Sequence, residues 1–156
     1  MKVIAISGTP GVGKTTLAKF LVRKLEFKRL DLHDHYQKIS KGYNRRKQCY
    51  DLDLRKLTGL VKRLSKENNL VIDSHVGHLL NPKLVDLCLV LTCPNLKTLE
   101  KRLIKRGYSK KKVRENLDAE IFQVCLNETK EKKHRLLVIE QAKNQNRLLS
   151  KIKQML

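Results

Sequence analysis

The chain reads Gly8-Thr9-Pro10-Gly11-Val12-Gly13-Lys14-Thr15 directly after the apolar segment Val3-Ile4-Ala5-Ile6. This run fits the pattern G-x-x-x-x-G-K-[ST] between a strand and a helix, in which glycines let backbone amides converge on phosphate oxygens. The helix N-terminus adds further donors and partial positive charge. In such a loop Lys14 reaches the β- and γ-phosphates, and the Thr15 hydroxyl ligates Mg²⁺. The pattern therefore predicts that the chain binds a nucleoside triphosphate.

A second apolar segment ends in a carboxylate at Asp73. A phosphate-binding loop needs such an acid to hold Mg²⁺, usually through water, beside the Thr15 hydroxyl. We favour this role over the alternative in which Asp73 only caps a turn. His75 follows two residues later and has three open roles, namely contacting a phosphate, orienting a water or moving a proton. His78 is interpreted as a packing residue, because a zinc site on this pair of histidines lacks a second ligand pair.

Five short apolar runs alternate with helical stretches along the chain. We interpret them as buried parallel strands, at Lys2–Ser7, Phe27–Asp31, Leu70–Asp73, Leu87–Thr92 and Leu136–Glu140. Because parallel neighbours require right-handed crossovers, the pattern predicts an α/β fold with a doubly wound, five-stranded parallel sheet. Ligands of such sheets bind beyond the carboxyl ends of the strands, where Asp31 and Asp73 are expected. At 156 residues, we expect one domain over 1–156.

Apolar residues at helical spacing predict four core-facing stripes. They are Leu54, Leu57, Val61 and Leu64; Leu96, Leu99 and Leu103, with Asn95 as a possible N-cap; Val113, Leu117, Ile121 and Val124; and Leu148, Leu149 and Ile152. Two stretches interrupt the core pattern, at 32–52 and 107–112, and these are the candidate mobile parts.

Two arginines four residues apart end one of these helices, and Gly107 follows as its expected C′ residue. Arg102 and Arg106 share a helix face at this spacing. One interpretation is a clamp that closes on a phosphoryl group during transfer and excludes water. The other is a basic helix end that complements the helix dipole. Spacing alone leaves the two open.

The net charge of +20 exceeds what a phosphate site needs. Much of it lies in three clusters, at 41–47, 101–114 and 130–135. Two interpretations remain equally open, an electrostatic footprint for polyphosphate or RNA, and a solvated lysine-rich surface.

Cysteine usage and hydropathy indicate the cellular compartment in which the protein is expected. The cysteines form no C-x-x-C pair, and Cys88 and Cys125 lie in apolar patterns that indicate small buried residues. The sequence contains no apolar run of about 18 residues, and Lys14 interrupts any signal-like segment. We therefore expect a reduced, cytoplasmic protein with no membrane partner.

Four segments carry a resemblance to a known family, and they occur in this order. They are Gly8-Thr9-Pro10-Gly11-Val12-Gly13-Lys14-Thr15-Thr16, Val71-Ile72-Asp73-Ser74-His75, Arg106-Gly107-Tyr108 and Ala119-Glu120-Ile121-Phe122-Gln123-Val124. The set resembles the atypical adenylate kinases of archaea and the eukaryotic nucleus, which are also small-ribosomal-subunit assembly factors. Many NTPases share the first segment, whereas the other segments are far more specific. The resemblance extends to about Leu126.

This resemblance implies a three-layer P-loop NTPase fold of the nucleoside-monophosphate kinase type. It implies an NMP-binding segment at about Asp31 to Tyr50 and a short lid at about Lys105 to Glu115. The implied ATP-binding residues are Gly11, Gly13, Lys14, Thr15, Thr16 and the lid arginine Arg106. The implied catalytic residues are Lys14, Asp73, His75 and Arg106, with Mg²⁺ held by Thr15 and, through water, by Asp73.

The stretch at 44–51 departs from the family, whose members carry acidic residues after the NMP-binding helix. Here the sequence is Asn-Arg-Arg-Lys-Gln-Cys-Tyr-Asp, and its basic residues either grip the acceptor phosphate or face ribosomal RNA. Three tyrosines, Tyr36, Tyr43 and Tyr50, are spaced along the same segment. They either stack on an acceptor base or fill a small local core, and we favour the core.

The residues and the resemblance together lead to two main functional hypotheses of different class. The leading hypothesis is an adenylate kinase that converts ATP and AMP into two ADP, with an ATPase role in small-ribosomal-subunit assembly. The alternative is an ATPase switch that chaperones a ribosomal protein, with negligible kinase activity. The partners that the resemblance implies are AMP and a small-subunit ribosomal protein of the uS11 type, with rRNA or the pre-40S/30S particle as a further contact. Phosphorylation of a small metabolite is a third option, which leaves the Arg-Gly-Tyr tract unexplained.

Overall fold

The computed structural model describes residues 1–46, 49–140 and 145–156. The strands are β1 (Val3–Ser7), β2 (Lys28–Asp31), β3 (Ser40–Asn44), β4 (Cys49–Leu52), β5 (Leu70–Asp73), β6 (Leu87–Thr92) and β7 (Leu136–Glu140). The helices are α1 (Lys14–Leu25), α2 (Tyr36–Ile39), α3 (Leu54–Leu64), α4 (Leu96–Lys105), α5 (Lys110–Ile121), α6 (Val124–Glu131) and α7 (Gln145–Met155). Short 3-10 turns lie at Leu32–His35, Gly77–Leu79 and Pro82–Leu84.

The central sheet confirms the five predicted strands. It is wholly parallel, in the order β2-β5-β1-β6-β7. Parallel pairing brings the carboxyl ends of the strands to one edge of the sheet, and Asp31 is the register partner of Asp73 there. The glycine-rich loop leaves β1 at the same edge, so the predicted site residues converge.

Apolar layers cover both faces of the sheet and give the fold its three layers. Leu57, Val61 and Leu126 bring α3 and α6 onto one face. Leu21 and Ile152 bring α1 and α7 onto the other. The side chains of α1, α3 and α7 that meet the sheet recur at helical spacing, which is why these segments form amphipathic helices.

The helix predicted through Val113, Leu117, Ile121 and Val124 is broken in the structure, so that prediction was wrong in part. The α5 helix ends before Phe122, and Gln123 adopts the left-handed conformation with φ 49°. The break rotates the stripe away from the core, leaving Ile121 49% and Val124 38% exposed. At the break, the backbone N–H of Cys93 donates to Glu120 Oε1 at 2.6 Å, and this contact ties the end of α5 to the end of β6.

The stretch at 32–52, which interrupts the core pattern of the sequence, contains regular structure. After a 3-10 turn and α2, strands β3 and β4 pair as an antiparallel hairpin. Its predicted cluster of positive charge reaches Lys47, which together with Gln48 lies outside the described residues. Sequence patterning missed the hairpin because β3 is mostly exposed and β4 is half-buried, so neither strand alternates between core and solvent.

The structure also tests the predicted burial of two cysteines and the two predicted caps of α4. Cys88 is buried as predicted, whereas Cys125 is only half-buried. The Thr98 amide donates to Asn95 Oδ1 at 2.9 Å, which confirms Asn95 as the N-cap of α4. Gly107 lies one residue beyond the C-cap of α4 with φ 74°, as its C′ position requires. None of the described helices has the length and apolarity to cross a bilayer.

Candidate active site

The glycine-rich loop is shaped by glycines in conformations that other residues rarely adopt. Gly8, Gly11 and Gly13 have φ values of 136°, 89° and 106°. Gly13 is the N-cap of α1, and it has no side chain to accept hydrogen bonds from the first-turn amides. The loop therefore presents backbone donors at the positive end of a helix dipole, which suits a bound phosphate group.

Replacing Gly8 with alanine should destabilise the protein more than the same change at Gly13. A Cβ atom at Gly8 would lie 2.4 Å from the carbonyl oxygen of Leu91, whereas at Gly13 it would meet no described atom within 4 Å beyond its chain neighbours. Backbone strain alone should cost Gly13→Ala about 1–2 kcal/mol, and the added clash should bring Gly8→Ala to about 3 kcal/mol or more. Urea unfolding of both variants measures the difference, and equal losses would contradict it.

Lys14 is held inside the loop by its own backbone. Its Nζ donates to the carbonyl oxygens of Gly8 at 2.7 Å and Thr9 at 2.9 Å. Burial lowers the pKa of Lys14 from 10.5 to about 8, although the nearby Cys125 and Asp73 raise it in part. The ammonium is thus positioned before any ligand binds. The folded chain places too little negative charge near it to offset its burial, and a bound triphosphate would supply that charge.

ATP affinity should fall as the pH rises through about 8. Because the pKa of Lys14 is lowered in the empty protein, the amine is increasingly neutral above that pH, and binding must then take up a proton. We expect the affinity for MgATP to decline by up to about tenfold per pH unit above pH 8. Fluorescence titration between about pH 6.5 and 9.5 measures this trend. The Lys14→Met variant should show a flat profile, and an equal slope in that variant would reject Lys14 as the cause.

Asp73 lies at the end of β5, where an arginine contacts it that the sequence analysis did not identify. Arg29 donates to Asp73 Oδ2 from Nε at 3.2 Å and from Nη2 at 2.5 Å, and the same Nη2 lies 2.6 Å from Asp31 Oδ2. Asp73 is 5% exposed. The other oxygen of Asp31 accepts from the backbone N–H and the ring of His33. Arg29 and Asp31 are two residues apart on β2, and this spacing places both side chains on the same face of the strand.

The two histidines after β5 differ in surroundings. His75 lines the cleft, and burial, followed by the charge of Lys14, lowers its pKa to about 4. His75 is therefore neutral near pH 7, which suits orienting a water or accepting a proton better than binding phosphate as a cation. His78 is buried, as the packing interpretation predicted. Its ring lies 2.5 Å from Ser7 Oγ and 2.7 Å from Glu128 Oε2.

The two arginines of α4 have different contacts. Arg102 Nη1 donates to the carbonyl oxygen of Gly11 at 3.1 Å and so braces the glycine-rich loop. Arg106 is the exposed C-cap of α4 and lines the cleft. Beyond it, the Lys112 ammonium lies 4.4 Å from the ring centroid of Tyr108, a cation–π distance. The spacing of these arginines did not distinguish them, but their contacts do.

Three tyrosines, Tyr36, Tyr43 and Tyr50, form an aromatic wall of the cleft. Tyr36 and Tyr50 stack with ring centroids 5.0 Å apart, and Tyr43 meets Tyr50 edge-on at 5.2 Å. Burial, with nearby acids, raises the pKa of Tyr36 to about 12, so its hydroxyl remains a donor. The rings pack together as the core interpretation predicts, yet all three line the cleft and Tyr43 is 55% exposed.

One cleft of about 1060 Å³ brings the predicted residues together. It is lined by every residue proposed for ATP, Mg²⁺ or catalysis, namely Gly11, Gly13, Lys14, Thr15, Thr16, Asp73, His75 and Arg106. Other polar residues also line the cleft without having been predicted as site residues, among them His33, Lys112 and Asn116. Lys112 lies within the short lid that the resemblance implies, but the sequence assigned it no individual role.

The oxygen donors of the cleft fit Mg²⁺. Thr15 contributes a hydroxyl and Asp73 a carboxylate, and Mg²⁺ prefers oxygen ligands, retaining waters and substrate phosphates for the rest of its shell. Within residues 1–46, 49–140 and 145–156, no three His, Cys, Asp or Glu side chains are grouped as a metal cluster. A nucleotide-borne Mg²⁺ ion needs only the two protein oxygens named above.

Comparison with known proteins places this geometry among kinases. The family model described as AAA domain matches residues 4–123. A Methanocaldococcus jannaschii protein named "Putative adenylate kinase" is 44% identical over 133 residues, which cover 83% of this chain and 72% of that protein. The Schizosaccharomyces pombe "Adenylate kinase isoenzyme 6 homolog" is 35% identical over 139 residues, 88% of this chain and 79% of its own length. Shikimate kinase from Acinetobacter baumannii shares the fold, with a TM-score of 0.64 at 16% identity over 99% of this chain and 92% of its own.

Proposed function

Because this chain belongs to the family that contains these archaeal and fungal adenylate-kinase-like proteins, we propose that it transfers the γ-phosphoryl group of MgATP to AMP. The observation that carries the proposal is one cleft whose lining combines the phosphate-binding loop, Asp73 and Arg106 with three tyrosine rings. A kinase must hold two nucleotides in line, and such a cleft has a separate wall for each.

The donor nucleotide is held by the glycine-rich loop. The amides at the start of α1 bind its phosphate oxygens, with Gly11, Gly13 and Thr16 lining the approach. Lys14 moves its hydrogen bonds from the carbonyls of Gly8 and Thr9 to the β- and γ-phosphates. Since these carbonyls already orient the ammonium, little ordering is needed at the moment of binding.

Mg²⁺ would be held by the Thr15 hydroxyl and, through water, by Asp73. When bound, the ion neutralises charge that develops on the transferred phosphoryl group. Both residues line the cleft, and Asp73 is fixed in place by Arg29.

The acceptor lies against the aromatic wall of Tyr36, Tyr43 and Tyr50. Their rings offer a stacking surface for a base, and the exposed Arg45 and Arg46 of the hairpin turn supply positive charge for its phosphate. AMP is the acceptor we favour, because of the family to which the chain belongs.

Transfer forms a bond between an acceptor phosphate oxygen and the γ-phosphorus and breaks the bond from that phosphorus to the β,γ-bridging oxygen, leaving two ADP. The attacking oxygen is already ionised, so no protein base has to remove a proton. The transition state is loose, and catalysis consists mainly of alignment and charge neutralisation. Arg106 supplies that charge from the lid side of the cleft.

ATP hydrolysis is the second candidate function, and His75 favours it. Water, unlike an AMP phosphate, must lose a proton when it attacks. A neutral imidazole in the cleft, with its pKa lowered to about 4 by burial and the charge of Lys14, can orient that water and accept a hydrogen bond from it. Hydrolysis in turn would drive a conformational switch that acts on a partner.

Turnover of MgATP, alone and with each nucleoside monophosphate, tests the proposal. Product separation distinguishes ADP formed by transfer from ADP formed by hydrolysis. We expect AMP-dependent formation of two ADP per cycle, with His75→Gln lowering hydrolysis more than transfer. Slow phosphate release that is indifferent to every nucleoside monophosphate would reject the kinase and favour the ATPase switch.

The proposed partners are a small-subunit ribosomal protein of the uS11 type and ribosomal RNA, with a cytoplasmic location. The support is the family relationship and the net charge of +20, much of which lies outside the cleft. The cluster at 130–135 includes exposed Lys130, Lys132 and Lys133 on the end of α6 and the turn that follows. These side chains are free of the nucleotide site, so their contribution can be tested separately.

RNA affinity should fall steeply as the salt concentration rises, because bound lysines release counterions from the phosphates. Replacing Lys130, Lys132 and Lys133 with alanine should weaken binding and reduce the slope of log affinity against log salt by about 2–3, while turnover stays unchanged. Filter binding between about 50 and 300 mM salt measures both quantities. Binding that is independent of salt would count against an RNA partner.

A further inference from the structure

One guanidinium joins two carboxylates at the carboxyl edge of the sheet. Arg29 Nη2 lies 2.5 Å from Asp73 Oδ2 and 2.6 Å from Asp31 Oδ2. Asp31 and Asp73 are register partners on adjacent strands, so their Cα atoms are fixed close together by the sheet. Arg29 is largely buried beside them, with 24% of its side chain exposed.

Both donors of Arg29 that reach Asp73 bind the same oxygen, Oδ2. Asp73 nevertheless lines the nucleotide cleft, whereas Arg29 is not among the residues that do. The guanidinium therefore orients the carboxylate and places a positive charge beside it without itself lining the cleft. An arginine suits this position because its planar, permanently charged group can bind two carboxylates at once.

We propose that Arg29 is a positioning residue that acts as an internal counter-cation for Asp73, so that Asp73 contributes to divalent-ion binding only when a nucleotide supplies the other ligands. The inference rests on the Mg²⁺ role proposed above for Asp73. Two adjacent carboxylates without Arg29 would attract a free divalent ion, since oxygen ligands with paired negative charge are what such ions bind. In the native protein, the Arg29 guanidinium takes the place of such an ion beside the two carboxylates. The divalent ion then binds together with the triphosphate.

Binding of Mn²⁺ to the nucleotide-free protein, followed by the electron paramagnetic resonance signal of the free ion, tests this inference without any turnover. The native protein should bind Mn²⁺ only weakly. Arg29→Met, which retains bulk but removes charge, should bind about one Mn²⁺ per chain at least tenfold more tightly. The double variant Arg29→Met with Asp73→Asn should return to native behaviour, and Arg29→Lys, which keeps the charge, should remain native-like.

Several results would overturn the proposal. One is no gain of Mn²⁺ affinity in Arg29→Met, the result expected if Asp73 turns to Lys14, whose charge also faces it, and another is a gain that persists in the double variant. Arg29→Gln provides a second neutral variant, and failure of both to fold would make Arg29 a structural residue. A separate result would show that the proposed Mg²⁺ role of Asp73 is wrong, namely that Asp73→Asn leaves the Mg²⁺ dependence of ATP binding unchanged.

Discussion

Replacing Lys14 with alanine should reduce phosphoryl transfer at least about a hundredfold, the effect expected for removing a group that stabilises developing charge on a phosphate. The Nζ atom of Lys14 is already held within the loop by the carbonyls of Gly8 and Thr9. The substitution removes the one positively charged side chain of the loop, which we propose contacts the β- and γ-phosphates, while the loop amides remain. Steady-state turnover with MgATP and AMP measures the loss.

Lys19→Ala is the matched control for this experiment. Lys19 lies on the same helix, α1, and is exposed to solvent outside the cleft. Its removal changes the net charge equally and should alter turnover less than about twofold. A Lys14→Ala variant that is folded by thermal denaturation yet turns over at a rate near that of the native protein would refute the assignment of the loop.

Replacing Arg106 with alanine should lower kcat by about a hundredfold while changing the affinity for ATP less than about threefold. Arg106 lines the cleft but has an exposed position at the end of α4, which suits a group that contacts the phosphoryl group mainly in the transition state. Parallel measurement of kcat and of the ATP dissociation constant separates this effect from loss of ground-state binding.

Arg102 and Lys105 are the comparisons for Arg106. Arg102 binds the carbonyl of Gly11, so Arg102→Ala should shift the loop and weaken ATP binding more than it lowers kcat. Lys105→Ala removes an exposed neighbouring charge and should have little effect on either. If Arg106→Ala instead weakened ATP binding with kcat unchanged, Arg106 would be a ground-state ligand rather than a transition-state clamp.

The central sheet, and the convergence of the glycine-rich loop and Asp73 at one edge of it, could be predicted from sequence because their signals are local. Short runs, continuously apolar at the core of the sheet and mixed with charge in β2, predicted all five parallel strands, and the G-x-x-x-x-G-K-[ST] pattern encodes its own geometry through glycine, lysine and threonine at fixed spacing. Asp73 followed from its position at the end of β5. The topology then brings these separate segments to one edge of the sheet, as parallel strands must.

The features that the sequence did not reveal depend on contacts between distant segments. Arg29 meets Asp73 only because β2 and β5 are neighbours in the sheet, an arrangement that no local pattern specifies. The left-handed conformation of Gln123, which ends the stripe before Val124, likewise carries no strong residue signal, because glycine would be the usual choice. Side-chain partners chosen by tertiary packing are therefore where sequence reasoning fell short.

The contact between Glu120 and the backbone of Cys93 fixes the carboxyl end of α5, so that any rotation of this helix would take place about that end. The helix has 12 residues, so at 1.5 Å per residue it is about 18 Å long. Because Val113 near the amino end packs against Leu99 and Leu103 of α4, a rotation of about 10° about the Glu120 contact would take α4 with it and move Lys112 by about 2 Å. That amino end includes Lys112, which lines the nucleotide cleft. A small angular change at the Glu120 contact is thus amplified into a displacement of atomic size at the cleft.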